Sequence, residues 1–305
     1  MFQFDRVALS DETQDLRAQV RAFIDENRAY LPRPNSDFVT GHDPEFSQKL
    51  GERGWIGMTW PAQYGGGERS NFERLVVTEE LLSAGAPVSA HWIADRQSGP
   101  LLLRFGTPEQ RQRYLPGIIR GERFFSIGMS EPDTGSDLAS VRTSATAEGD
   151  AYRINGTKVW TTDAHRNHFI ICLVRTAAQT ENRHAGLSQI IVDLKNDGVK
   201  IRPIRNMAGG EDFNEVVFED VLVPKNRIVG EPGNGWQQVT SELAYERSGP
   251  ERFLSAYRVF AELIRLCGDS PAPHQAAAIG RLAGHFMTLR RMSLSVAGML
   301  EAGKD

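Results

Sequence analysis

Apolar residues recur at helical spacing through the first third of the chain. From Ser10 to Asn27, the residues Leu16, Val20, Phe23 and Ile24 fall on one face, and Ser10 with Asp11 supplies side-chain acceptors that can start a helix. The same period runs through Phe46–Arg53, Asn71–Ala84 and Thr107–Ile119. These runs are separated by the polar stretch from Pro32 to Pro44 and by the turn Tyr64-Gly65-Gly66-Gly67. Residues 1–124 are therefore expected to be an all-helical domain. The period then changes to alternation. Tyr152, Ile154, Lys158 and Trp160 flank Asn155-Gly156, which predicts a hairpin closed by a type I′ turn. Phe169–Val174, Gln189–Leu194, Val199–Ile204 and Glu215–Val223 are further short, β-branched runs bounded by turn residues, so residues 125–234 read as a compact β domain. The stretch Gly230-Glu231-Pro232-Gly233-Asn234-Gly235 reads as a linker. Helical spacing returns beyond it at Trp236, Val239 and Leu243, and later at Ile279, Leu282, Phe286, Leu289 and Leu294. Two long helices cannot bury their apolar faces alone, so residues 235–305 are expected to be an incomplete helical domain that another chain completes. The fold class that follows is α+β.

Composition narrows the function classes. The 305 residues are 40% hydrophobic and 24% charged, with 15 Phe, 5 Trp and 6 Tyr, ordinary values for a globular protein of two or three domains. A formal charge of −4 provides no global basic field, which argues against a nucleic-acid partner. Cys172 and Cys267 lie far apart and outside any Cys-x-x-Cys, so two reduced core cysteines are expected. The N-terminus lacks the basic and apolar runs of a secretory signal, and Phe169–Val174 is far too short to span a bilayer, so a cytoplasmic protein is expected. There is no Gly-x-Gly-x-x-Gly after a strand, no P-loop, no His-Glu-x-x-His and no Gly-x-Ser-x-Gly. His165 and His168 have no Cys or carboxylate at ligand spacing, so no metal is expected.

Candidate chemistry concentrates in three segments. The first is Gly128-Met129-Ser130-Glu131-Pro132-Asp133-Thr134-Gly135-Ser136-Asp137-Leu138-Ala139-Ser140, whose hydroxyls and unobstructed backbone N–H groups suit ring carbonyls and a phosphate-bearing ligand. The second is Asn155-Gly156-Thr157-Lys158-Val159-Trp160-Thr161-Thr162, and the third is Leu243-Ala244-Tyr245-Glu246-Arg247. Together they resemble the acyl-CoA dehydrogenase family. Gly54-Trp55-Ile56-Gly57 with Trp60-Pro61, and Glu219-Asp220-Val221 with Val223-Pro224, extend the resemblance over almost the whole chain.

The resemblance implies a helical N-terminal domain, a central β domain and part of a C-terminal helical bundle, with FAD as cofactor. It places Ile127, Met129, Ser130, Gly135, Ser136, Trp160, Thr161 and Thr162 at the flavin. It places Ser136, Ala244, Tyr245 and Arg247 beside an acyl-CoA substrate, and it makes Glu246 the base that removes the α proton, as in the isovaleryl-CoA and long-chain branches. A lone carboxylate is a weak base in water, and an apolar acyl chain that excludes solvent would raise its pKa towards the task. An electron-transferring flavoprotein or similar acceptor, and a homo- or hetero-oligomer, are further implied. Pro250, four residues after Glu246, either kinks the helix or separates two helices. Met207–Asn214 and Leu266–Pro273 depart from the better-known branches, and the family's last helices have no counterpart in residues 1–305. A truncated, inactive or partner-dependent subunit, and a flavin oxidase, are the alternatives.

Overall fold

The computed structural model describes residues 7–35, 37, 41–246 and 249–303, and of residues 243–246 the backbone only. In chain order the helices are α1 (Asp11–Glu26), α2 (Pro44–Glu52), α3 (Asn71–Ala84), α4 (Ser89–Ile93), α5 (Gly99–Phe105) and α6 (Pro108–Ile119). Seven strands follow: β1 (Phe125–Gly128), β2 (Ser144–Glu148), β3 (Ala151–Thr162), β4 (Phe169–Arg175), β5 (Leu187–Asp193), β6 (Val199–Ile204) and β7 (Phe213–Pro224). Helices α7 (Gly235–Glu246), α8 (Glu251–Leu254), α9 (Tyr257–Cys267) and α10 (Pro273–Glu301) close the chain order. Residues 1–89 with 247–305 form one compact unit, and residues 90–246 form another, so each unit gathers pieces of more than one of the three sequence segments.

The first unit is helical for reasons readable in its caps. The Ser10 hydroxyl accepts the Thr13 N–H at 3.4 Å to start α1, whose Leu16, Val20, Phe23 and Ile24 are buried. Asp43 caps α2 by accepting the Phe46 N–H at 2.9 Å, with Pro44 in the first turn, where its missing N–H is not needed. Ser70 and Glu73 form a capping box on α3, which stops at Gly85 in the left-handed region, φ +67°. Phe23 packs edge-on against Trp55, with ring centroids 5.1 Å apart. Arg17 is paired with Glu79 at 2.8 Å and also with Glu80, Arg21 with Glu80 at 2.7 Å, and Arg290 of α10 with Glu79 at 2.5 Å. These groups line a cleft of about 700 Å³ whose other wall carries Tyr257 and Phe286.

The second unit is built on one seven-stranded sheet in the order β1-β4-β2-β3-β7-β6, with β5 paired to β4. Strands β1 and β4 are parallel, from Phe125 opposite Phe169 to Gly128 opposite Cys172. Strand β3 runs antiparallel to β7 over its whole length, from Ala151 opposite Pro224 to Thr162 opposite Phe213. The core gathers Ile154, Ile170, Val174, Ile190, Val216 and Phe218. Helix α6 starts at a Thr107–Gln110 capping box, and Gln110 also donates to the Asn226 and Ile228 carbonyls at 2.8 and 2.6 Å.

Three expectations are corrected. Asn155-Gly156 does not turn but lies inside β3, where the register with β7 shifts between Ile154 and Gly156. A Cβ on Gly156 would stand 2.6 Å from the Thr143 hydroxyl, so the glycine serves a close approach, and its φ of +146° belongs to that irregularity. The hairpin closes earlier, at Gly149-Asp150, between Glu148 and Ala151. Strands β1 and β2 and helices α4 and α5 were not expected. A π-helical turn, Ala94–Ser98, joins α4 to α5, and the Gly99 N–H reaches back to the Ala94 carbonyl. Pro100 explains it, because a proline cannot supply the next helical N–H and its ring crowds the preceding turn. Finally, Gly230–Gly235 lies inside the second unit and seats α7 on β5. The Gly233 N–H donates to the Ser188 hydroxyl at 2.9 Å, and a Cβ on Gly235 would meet the Ser188 nitrogen at 2.6 Å. Helices α7 and α8 are separate, so Pro250 stands between two helices. Among the described residues no helix is long and apolar enough to cross a membrane.

Candidate active site

The first two motif segments meet in the second unit. Strand β1 carries Ile127 and delivers Met129 and Ser130 at its exit. The Val159 N–H donates to the Ser130 carbonyl at 2.9 Å, and the Ser126 hydroxyl donates to the Thr162 carbonyl at 2.7 Å, itself held by the Asn167 amide at 2.9 Å. Met129 and Ser130 are thereby joined to the strand bearing Trp160 and Thr162. Lys158, fully enclosed, donates to the Glu131 carboxylate at 2.9 Å and to the Met129 carbonyl at 3.1 Å. The same carboxylate accepts the N–H groups of Arg142 and Thr143 at 2.7 and 2.9 Å.

Electrostatics follow from that enclosure. Burial pushes the Glu131 carboxyl up, but the Lys158 charge and the N–H donors outweigh it and hold the group below its ordinary value. Burial pulls the Lys158 ammonium down, against the attraction of Glu131. Cys172, buried nearby, is pushed up to about 12 and stays a thiol.

Trp160 is the exception in this packed region. Its backbone has φ +59°, rare for a bulky residue, at a second register shift between Lys158 and Thr161, and its side chain is 59% exposed. Phe213 of β7 touches it edge-on, centroids 6.2 Å apart. Thr161 points into the sheet, and its hydroxyl has no hydrogen-bond partner among the described residues. The buried Asn214 amide donates to the Thr161 carbonyl at 2.9 Å, while its oxygen lies 2.7 Å from His165 Nδ1. Thr162 is half-buried opposite Phe213.

The rest of the signature forms a turn in which Glu131 and Thr134 exchange backbone hydrogen bonds of 2.8 and 3.0 Å. Gly135 and Ser136 stand exposed beyond it. The Ser140 hydroxyl and the Arg183 guanidinium, both at 2.6 Å, hold the Asp137 carboxyl below its ordinary value. Next to Arg183, His184 stacks on Trp236 of α7 at 4.0 Å. Val239 of α7 shares a buried cluster with Val141, Leu173 and Leu187, against which Met129 packs. Gln189 donates to Glu242 at 3.0 Å. Helix α7 therefore runs from the signature towards Glu246, but the side chains of Ala244, Tyr245 and Glu246 and all of Arg247 lie outside the described residues.

Sequence reasoning missed Glu131, Lys158, Asn214 and Arg183 as site residues. The first two did leave a signal: each stands inside one of the two motif segments, and they carry opposite charge. Among the described residues no group of three or more His, Cys, Asp or Glu could hold a metal ion.

Comparison with known proteins assigns this arrangement. Residues 10–122 match the model of the acyl-CoA dehydrogenase N-terminal domain, and residues 126–221 that of the middle domain. The chain belongs to the acyl-CoA dehydrogenase family. It is 38% identical to acyl-CoA dehydrogenase IpdE1 of Mycobacterium tuberculosis over 77% of this chain, and spans 63% of that protein's length. It is 32% identical to IpdE1 of Mycolicibacterium smegmatis, over 96% of this chain and 81% of that one. Among solved structures it is similar to the Tcur3481-Tcur3483 steroid ACAD, with a TM-score of 0.87 and 29% identity over 98% of this chain and 79% of that one.

Proposed function

We propose that the chain is an FAD-dependent dehydrogenase that converts an acyl-CoA thioester to the 2-enoyl-CoA. The observation that carries the reading is the Trp160 bulge: a large aromatic plane held out of the sheet at a strained φ, beside the bonded Met129–Ser130 main chain. Strain and exposed apolar surface at one residue are what a planar ligand would put to use. An isoalloxazine is such a plane, and Ile127, Met129, Ser130, Gly135, Ser136, Trp160, Thr161 and Thr162 are the residues to hold it. When bound, FAD supplies the acceptor for the hydride that leaves the β carbon.

The remaining chemistry belongs to this chain. Glu246 takes the α proton, so one proton and one hydride leave and a carbon–carbon double bond remains. Ser136, Ala244, Tyr245 and Arg247 orient the thioester and its CoA. An acyl chain that excludes water raises the Glu246 pKa, and a well-matched general base contributes about 10²–10⁴-fold. The likeness to a steroid ACAD favours a steroid-bearing acyl-CoA as the first substrate to try. An electron-transferring flavoprotein or similar acceptor, in the cytoplasm, would return the enzyme to its oxidised state. Exposed Leu266 on α9 and Met287 on α10 support assembly as a homo- or hetero-oligomer.

The test is the visible spectrum of the purified chain with excess FAD, before and after anaerobic addition of steroid-bearing, long and branched acyl-CoAs. Bound flavin that bleaches is expected, and Glu246→Gln should abolish the bleaching. A chain that binds no flavin alone or with a co-expressed partner would overturn the reading; flavin bound only with the partner would make it a partner-dependent subunit.

A further inference from the structure

A buried ion pair is a poor way to stabilise a fold, because desolvation of two charges consumes most of their attraction, and apolar residues of similar volume serve as well or better. Lys158 is fully enclosed and Glu131 nearly so, yet the pair is used for more than mutual attraction. Lys158 Nζ spends a second bond on the Met129 carbonyl, and Glu131 accepts the main-chain N–H groups of Arg142 and Thr143. The anchored points are the exit of β1, the far end of the signature turn, and β3 two residues before the Trp160 bulge. No apolar pair could bond main chain in this way.

We propose that the Lys158–Glu131 pair is a positioning device for the cofactor platform. It fixes the Met129–Ser130 main chain in register with the Trp160 bulge, so that both walls offered to the flavin are set before it binds. Removing the pair spares the fold and loosens the walls, and the cost falls on cofactor affinity through lost preorganisation. The inference rests on the FAD reading above.

The experiment compares wild type, Lys158→Met and the double variant Glu131→Gln/Lys158→Met by urea denaturation, FAD titration and the visible spectrum of the added flavin. The double variant is expected to regain most of the stability that Lys158→Met loses. It should still bind FAD at least tenfold more weakly than wild type, with flavin bands resembling those of free FAD. A double variant with wild-type affinity and spectrum, beside a wild type that binds FAD, overturns the positioning role alone. A wild type that binds no FAD overturns the proposed function and this inference with it. Should the double variant not fold, Glu131→Gln decides: the amide gives up a carboxylate acceptor while Lys158 stays, weaker FAD binding and a perturbed spectrum are expected, and unchanged values overturn the proposal.

Discussion

Glu79 and Glu80 in the first unit, and Glu131 in the second, are all buried carboxylates with cationic partners, but they are held in different ways. The adjacent glutamates on α3 are shared among Arg17, Arg21 and Arg290, from α1 and α10, and the cluster borders a cleft. Glu131 has a single cation, Lys158, and its other partners are main-chain N–H groups. A shared cluster is redundant, because loss of one arginine leaves each carboxylate with another. A closed pair has no reserve. The first arrangement suits holding helices together, and the second suits fixing the main chain at one place.

Breaking the closed pair should give the largest effect. Lys158→Met leaves an uncompensated buried carboxylate and is expected to cost about 3–5 kcal/mol in urea denaturation. Glu79→Ala removes charge-assisted bonds from Arg17 and Arg290, yet Glu80 keeps Arg17, so a smaller loss of about 1.5–3 kcal/mol is expected by the same measurement.

Acid sharpens the contrast further. The folded state holds the Glu131 carboxyl below 4.5, so its contribution is present above that value and is lost as pH falls through the lower folded pKa. The stability gap between wild type and Glu131→Gln, followed by denaturation at successive pH values, should therefore narrow below about pH 4. Smallest of all, Arg183→Ala breaks an exposed pair with Asp137 and should leave the denaturation midpoint unchanged.

The contrast also marks what could be read in the sequence. Helices α1 and α3 were legible because a capping residue and an apolar period agree at the same place. Strands β1 and β2 were not, because Phe-Ser-Ile-Gly and Ser-Ala-Thr-Ala-Glu carry too little apolar alternation and owe their strand form to β4 and β3. Asn155-Gly156 misled because the local preference of that dipeptide for a turn was overridden by the pairing of β3 with β7. At the site, the segments around Ser130 and Trp160 were legible as motifs. Their joining through Glu131 and Lys158 was not, since residues so far apart in sequence meet only once strand register is fixed. Asn214 was hidden for the same reason, as its role follows from standing opposite Thr161.

The π turn at Ala94–Ser98 sets a rule for how this stretch can change. Such a turn accommodates one residue more than the α-helix around it, and each residue of an α-helix advances about 100° around its axis. Deleting a single residue there would rotate α5 by about that angle, carry the buried Leu101 and Leu102 away from their packing, and draw Arg104 away from the Ser241 hydroxyl it now meets at 2.8 Å. Homologous chains should therefore vary freely in letters across Ala94–Ser98 while keeping the same number of them, and an alignment gap in that window would mark a relative whose α5 presents a different face.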